Sequence, residues 1–233
     1  METSRRPSPI YLLAGGLAAR CAGPDPLVVR ALASSTVAEP SVAYIGAASG
    51  DNRAFLAMMA QHLRRCGAGD VTLVPLASRR ASLEKARAVL ERADVVFMSG
   101  GDVEAGMRVV QERGLAPLLR SLYEAGKTFV GMSAGSIMLA RQWVRWRDAD
   151  DAAVELFPCL GLAPILCDTH GEAEGWEELR TLLRLVSADT VGYGIPSGGG
   201  LVVYPDGGLE ALGGPVQRFV RRGRRVVHLT DLT

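Results

Sequence analysis

Short apolar runs that each break off at glycine, with helical patterns between them, most constrain what this chain can fold into. Ile10-Tyr11-Leu12-Leu13-Ala14 stops at Gly15-Gly16, Val42-Ala43-Tyr44-Ile45 at Gly46, Val95-Val96-Phe97-Met98 at Ser99-Gly100-Gly101, and Thr128-Phe129-Val130 at Gly131. Runs this short, punctuated by glycine, read as buried strands, and Val71 to Leu76 adds another. The stretches between them read as helices: Pro26 to Ser35, a segment capped by Asp51-Asn52 with Phe55, Met58, Met59 and Leu63 on its apolar face, Leu83 to Arg92, Glu104 to Arg113, and Leu115 to Ala125. The methionines of that second helix read as core. Strands alternating with helices imply an α/β fold with a doubly wound, mainly parallel sheet flanked by helices, whose ligands sit beyond the carboxyl ends of the strands.

The last third changes character. Pro164 to Cys167 reads as a further strand and Trp176 to Val186 as a helix. Apolar runs ending near Tyr204, Leu212, Val220 and Leu229, separated by turn residues, then predict a C-terminal antiparallel extension of the main sheet. At 233 residues, with no repeat and no linker, the chain is expected to be one domain over 1–233.

A formal net charge of +1 gives no general reason to expect nucleic acid or an anionic membrane as a partner, so small-molecule or peptide chemistry fits better. Arg218, Arg221, Arg222, Arg224 and Arg225 form a basic cluster that reads as a solvated hairpin. Cys21, Cys66, Cys159 and Cys167 have neither zinc-site nor disulfide-framework spacing, so reduced thiols are expected. Arg5-Arg6 ahead of the apolar run from Ile10 resembles the start of a signal peptide, but the glycine-closed run reads better as a first strand, and a cytoplasmic location is expected. No run approaches the ~20 apolar residues of a membrane span. Whether the chain forms a homodimer stays open.

Chemistry concentrates at Gly131-Met132-Ser133-Ala134-Gly135, a Gly-x-Ser-x-Gly pattern between a strand and the helical run Ile137-Met138-Leu139-Ala140. Glycines on both sides allow a strained turn that lifts a serine hydroxyl out of the sheet, and the Ala134 N–H at the helix start is placed to hold a developing oxyanion. The alternative is an ordinary strand-to-helix turn with a capping serine.

A serine nucleophile needs a base, and the histidines are His62, His170 and His228. His62 beside Arg64 and Arg65 reads as a solvated surface residue, and His228 sits within an apolar strand pattern. His170 directly follows a buried strand, at the sheet end where Ser133 also lies, and is the better base. Asp168, Glu172 and Glu174 alternate with it, a spacing that suits an acidic first helical turn better than a metal site lacking a second histidine. No metal or cofactor is expected.

Four places in order resemble the serine peptidase family that contains dipeptidase E and cyanophycinase, with its class I glutamine amidotransferase-like fold: Ser99-Gly100-Gly101-Asp102, Gly131 to Gly135, Asp168-Thr169-His170, and Gly194-Ile195-Pro196-Ser197 before Leu201-Val202-Val203. The resemblance implies a Ser133 nucleophile, a His170 base, and an oxyanion hole from the Gly101 and Ala134 N–H groups. It puts the family's third triad member, a glutamate, at Ser197, which carries no charge. Losing such an acid lowers turnover by about four orders of magnitude in the best-studied triads. Asp168, Glu172 and Glu174 are candidate substitutes. Asp102 replaces the family's asparagine and, like Asp148 after Trp146-Arg147, is a candidate substrate-binding carboxylate. The implied function is a dipeptidase E-like serine peptidase acting on short peptides. Two alternatives remain: a catalytically impaired member that binds a peptide or metabolite, and an α/β-hydrolase-type esterase built from Ser133, Asp189 and His228.

Overall fold

The computed structural model describes residues 7–16, 23–146 and 154–233. The first half runs β1 (Ile10–Leu13), α1 (Pro26–Ala33), β2 (Val42–Ile45), α2 (Arg53–Arg65), β3 (Val71–Leu73), α3 (Leu83–Arg92) and β4 (Val95–Met98). Then come α4 (Val103–Glu112), α5 (Ala116–Glu124), β5 (Thr128–Met132), α6 (Ala134–Leu139), β6 (Gln142–Trp146) and β7 (Val154–Pro158). The chain closes with β8 (Leu166–Thr169), α7 (Glu177–Leu185), β9 (Val191–Ile195), β10 (Gly200–Val203), β11 (Leu209–Leu212), β12 (Val216–Arg222) and β13 (Arg225–Leu232).

Seven strands form the main sheet in the order β11-β10-β1-β5-β4-β2-β3, the last five mutually parallel. Successive residues of a strand face opposite sides, and here both sides are apolar. Ile10, Leu12, Val96 and Met98 enter a core with Leu90 of α3, Met107 of α4 and Leu119 of α5, whereas Tyr11, Leu13, Val95 and Phe97 enter a second core with Val28 of α1 and Leu63 of α2. That is the doubly wound arrangement. The helices begin where side chains accept otherwise orphaned N–H groups: Asp25 from Leu27 at 2.9 Å, Asn52 from Phe55 at 2.9 Å, Ser82 from Lys85 at 3.2 Å and Asp102 from Ala105 at 2.7 Å.

The antiparallel extension is divided. β10 pairs with β1 and β11 with β10, extending the main sheet, but β9, β12 and β13 join β8 in a separate four-stranded sheet. Trp176 with Leu179, Leu182 and Leu183 of α7 covers that second sheet. β6 and β7 pair as a two-stranded ribbon that the strand-helix alternation did not predict. β8 runs parallel to β9 with Thr169 opposite Ile195, so the residues leaving both strands, His170 and then Ser197, emerge side by side. The arginine-rich segment is the β12–β13 hairpin, where Arg222 lies opposite Arg225 and pairs with Asp189. Among the described residues, no helix is long and apolar enough to cross a membrane.

Candidate active site

Three strand ends converge on one place. Ser133, between β5 and α6, has φ 53° and ψ −123°, a sparsely populated conformation for a residue with a side chain. Its surroundings enforce it. A Cβ on Gly135 would lie 2.0 Å from the Met98 carbonyl oxygen, and one on Gly131 would lie 2.6 Å from Ser136 Cα, so neither position admits any other residue. The Ser133 N–H donates to the Leu13 carbonyl at 2.8 Å, and Ser136 Oγ donates to the same oxygen at 2.9 Å, tying the turn to β1.

Gly101, past the end of β4, has φ 142°, and a Cβ there would sit 2.1 Å from the Ala48 carbonyl oxygen. Glycine is required on both counts. Among the described residues, neither the Gly101 nor the Ala134 N–H donates to another protein group. Gly100 packs against the serine, since a Cβ at Gly100 would lie 3.2 Å from Ser133 Cβ.

His170 also takes a positive φ, 62°, with its N–H donating to the Ile195 carbonyl at 3.2 Å. Its Nδ1 lies 3.3 Å from Ser197 Oγ, and the Ser197 N–H donates to Glu172 Oε1 at 2.9 Å. Burial pushes the Glu172 carboxyl up, but the neighbouring Ser197 hydroxyl and N–H, its own N–H and the nearby His170 outweigh it, leaving the carboxyl below its usual range. His170 and Ser133 line one cavity of about 640 Å³ and are not hydrogen-bonded to each other. Such bonds are often long in a resting site and tighten when substrate docks.

The remaining wall of this cavity corrects two sequence expectations. Met58 is 54% exposed and lines the cavity with Phe55, Met59 and Met132, so it is not a core methionine. His62 is 6% exposed, not solvated; burial lowers its pKa, with Asp25 opposing and Arg65 adding to the effect. Helical spacing put Met58 on the apolar stripe of α2 and the neighbouring arginines put His62 on the surface, but which side of the helix is covered depends on neighbouring elements.

A second cavity of about 440 Å³ shares His170 and is acidic, lined by Asp168, Glu174, Glu177 and Glu178. Of the candidate substitute acids, only Glu172 reaches the residue beside His170. Asp168 instead accepts the Thr169 N–H at 2.7 Å, and Glu174 belongs to the acidic cavity wall. Burial pushes the Asp168 carboxyl up to about 7, helped by Glu178 and opposed by the Thr169 and Leu179 N–H groups. The fold therefore holds the Asp168 proton more tightly than the unfolded chain does. The associated stability is fully present below the ordinary value of 3.8 and is lost as pH rises through about 7, a change of roughly 4 kcal/mol at ~1.4 kcal/mol per unit. Asp168→Asn is accordingly expected to melt with the parent at pH 4 and several degrees above it at pH 8, as checked by thermal denaturation across pH.

Asp102 caps α4 and is not on the wall of the serine cavity. Asp148 lies outside the described residues. The esterase arrangement is not assembled: His228 pairs with Asp231 at 2.7 Å on β13, and Asp189 pairs with Arg222. Cys167 is fully buried, which pushes its thiol up, and burial raises Cys159 to about 12, so neither is a reactive thiolate. Among the described residues, no group of three or more His, Cys, Asp or Glu is placed to hold a metal ion.

A mainly parallel sheet flanked by helices, with a strained serine turn beyond the carboxyl end of β5, defines an α/β fold with a candidate active site at that end. The model of peptidase family S51 matches residues 21–209, and the chain belongs to that family. It is 26% identical to Peptidase E of Pasteurella multocida over 123 residues, 49% of this chain and 53% of that one, and 26% identical to Peptidase E of Escherichia coli K12 over 151 residues, 61% and 65% respectively. The match thus spans between half and two thirds of those relatives' length. The fold is similar to the crystal structure of a peptidase from an acI-B1 Actinobacterium, with a TM-score of 0.69 and 17% identity over 97% of this chain and 96% of that one. It is also similar to a putative Peptidase E from Listeria monocytogenes EGD-e, with a TM-score of 0.58 and 14% identity over 97% and 100%.

Proposed function

We propose that this member of a peptidase family is a serine peptidase that hydrolyses short peptides with Ser133 as nucleophile and His170 as base. The observation that carries the reading is Ser133 itself, held at φ 53° beside the uncommitted Gly101 and Ala134 N–H groups and facing the cavity that His170 lines. Ser133 Oγ attacks the scissile carbonyl while His170 Nε2 takes its proton, and the two N–H groups hold the resulting oxyanion. Collapse breaks the C–N bond, the amine leaves with the proton from His170, and water repeats the sequence on the acyl-enzyme to release the acid.

The Phe55, Met58, Met59 and Met132 wall supports substrates with an apolar side chain next to the scissile carbonyl, in preference to an acidic one. A panel of dipeptides varied at the first residue tests this by amine release. Leucine or phenylalanine at that position is expected to be cut faster than aspartate, and Ser133→Ala to abolish cleavage throughout. Cleavage that survives Ser133→Ala refutes the nucleophile. A second reading, a binding member without turnover, is favoured by the lack of a carboxylate directly on His170; saturable peptide binding without release of product would select it.

A further inference from the structure

The serine at position 197 leaves the base with a neutral partner, and a hydroxyl alone is an ambiguous one. It can accept from a protonated Nδ1, leaving Nε2 free to act as base. It can equally donate to a bare Nδ1, which puts the ring proton on Nε2 and blocks catalysis. What decides between these is where the hydroxyl proton of Ser197 goes.

We propose that Glu172 fixes this choice as a positioning residue, taking the hydrogen bonds of Ser197 so that the Ser197 oxygen can only accept from His170 Nδ1–H. The inference rests on the serine-nucleophile reading. Its geometry is on the structure: His170 Nδ1 to Ser197 Oγ is 3.3 Å, and the Ser197 N–H donates to Glu172 Oε1 at 2.9 Å, which holds the carboxylate at the same residue whose hydroxyl faces the base. An ionised carboxylate is acceptor-only, so a hydroxyl against it must donate to it. The negative charge is thereby relayed across one hydroxyl, from a residue two positions after the base to the imidazolium that forms during attack.

The fold explains why this acid serves and its neighbours do not. Parallel pairing of β8 and β9 delivers His170 and Ser197 together, and the chain turns after His170, bringing Glu172 back under the Ser197 main chain. Asp168 accepts the Thr169 N–H, and Asp168, Glu174, Glu177 and Glu178 share the acidic cavity with His170 without bonding Ser197. On the serine side, the charged or titratable groups lining the cavity that His170 shares are Asp25, His62 and Arg65.

The test reads the tautomer directly. In chain labelled with ¹⁵N-histidine, three ring systems are present, and His62→Gln and His228→Gln variants assign His170. The neutral His170 ring is expected to carry its proton on Nδ1 in the parent and to shift toward the Nε2–H form in Glu172→Gln, which preserves an acceptor for the Ser197 N–H but not the charge. In parallel, the rate at which a fluorophosphonate probe labels Ser133 is expected to fall about tenfold or more in both Glu172→Gln and Ser197→Ala. The double variant is expected to be no slower than the worse single one, because both break the same relay. An unchanged tautomer in Glu172→Gln, or fully multiplicative losses, overturns the relay. Labelling that persists in Ser133→Ala overturns the serine reading instead, and the tautomer result still judges the relay by itself.

Discussion

Replacing Gly135 by alanine is expected to destabilise the chain by at least about 3 kcal/mol and to remove activity together with stability. The added Cβ would stand 2.0 Å from the Met98 carbonyl oxygen and 2.6 Å from its carbon. Both are main-chain atoms of a central strand whose own residues are wholly buried, so no side-chain rotation relieves the overlap. Either β4 or α6 must move, and both position the serine turn. For a chain of this size, each kcal/mol lowers the melting temperature by roughly 2–4 °C, so the variant is expected to melt about 6–12 °C below the parent. Gly23→Ala is the control. A Cβ there meets nothing within 4 Å, and melting is expected to stay within about 2 °C of the parent. Scanning calorimetry on the two variants side by side checks the contrast.

His170→Asn is expected to lower kcat/KM by about a thousandfold or more while leaving the fold in place. Asparagine is the informative replacement because position 170 has φ 62°, a conformation asparagine tolerates better than alanine. The loss then reports removal of the base and not a rearranged strand end. His228→Asn should leave kcat/KM unchanged, since His228 is bonded to Asp231 on an outer hairpin and is not on the wall of the serine cavity. Steady-state kinetics with unfolding curves for each variant separates chemistry from stability. A His170→Asn enzyme at parental activity would move the base elsewhere.

How far the site could be read from the residues depended on how local its cause was. The parallel sheet was readable because each strand is an apolar run closed by glycine, and the serine turn because the overlaps at Gly131 and Gly135 leave their trace as glycine in the sequence. Gly101 and His170 were reachable through the short motifs that end β4 and β8. The partner of β8 was not readable: Leu166–Thr169 announces a buried strand, but nothing in those residues says that it leaves the main sheet to pair with β9. Nor did spacing choose among Asp168, Glu172 and Glu174. The contact that distinguishes them joins Glu172 to Ser197, 25 residues away, and exists only because two strands end in register and the chain turns back. Met58 and His62 were misplaced for a related reason. Both lie on the partly apolar side of α2, and which of them the rest of the molecule covers is a tertiary fact.

Covalent capture reads out whether Ser133 is a reactive nucleophile in this fold. The chain would be exposed to a fluorophosphonate probe, digested, and the adduct mapped by mass spectrometry. One adduct is expected, on the peptide carrying Ser133, and none in Ser133→Ala. An adduct that forms equally in Ser133→Ala, or a parent chain that stays unmodified while a known serine hydrolase in the same tube is labelled to completion, would contradict it.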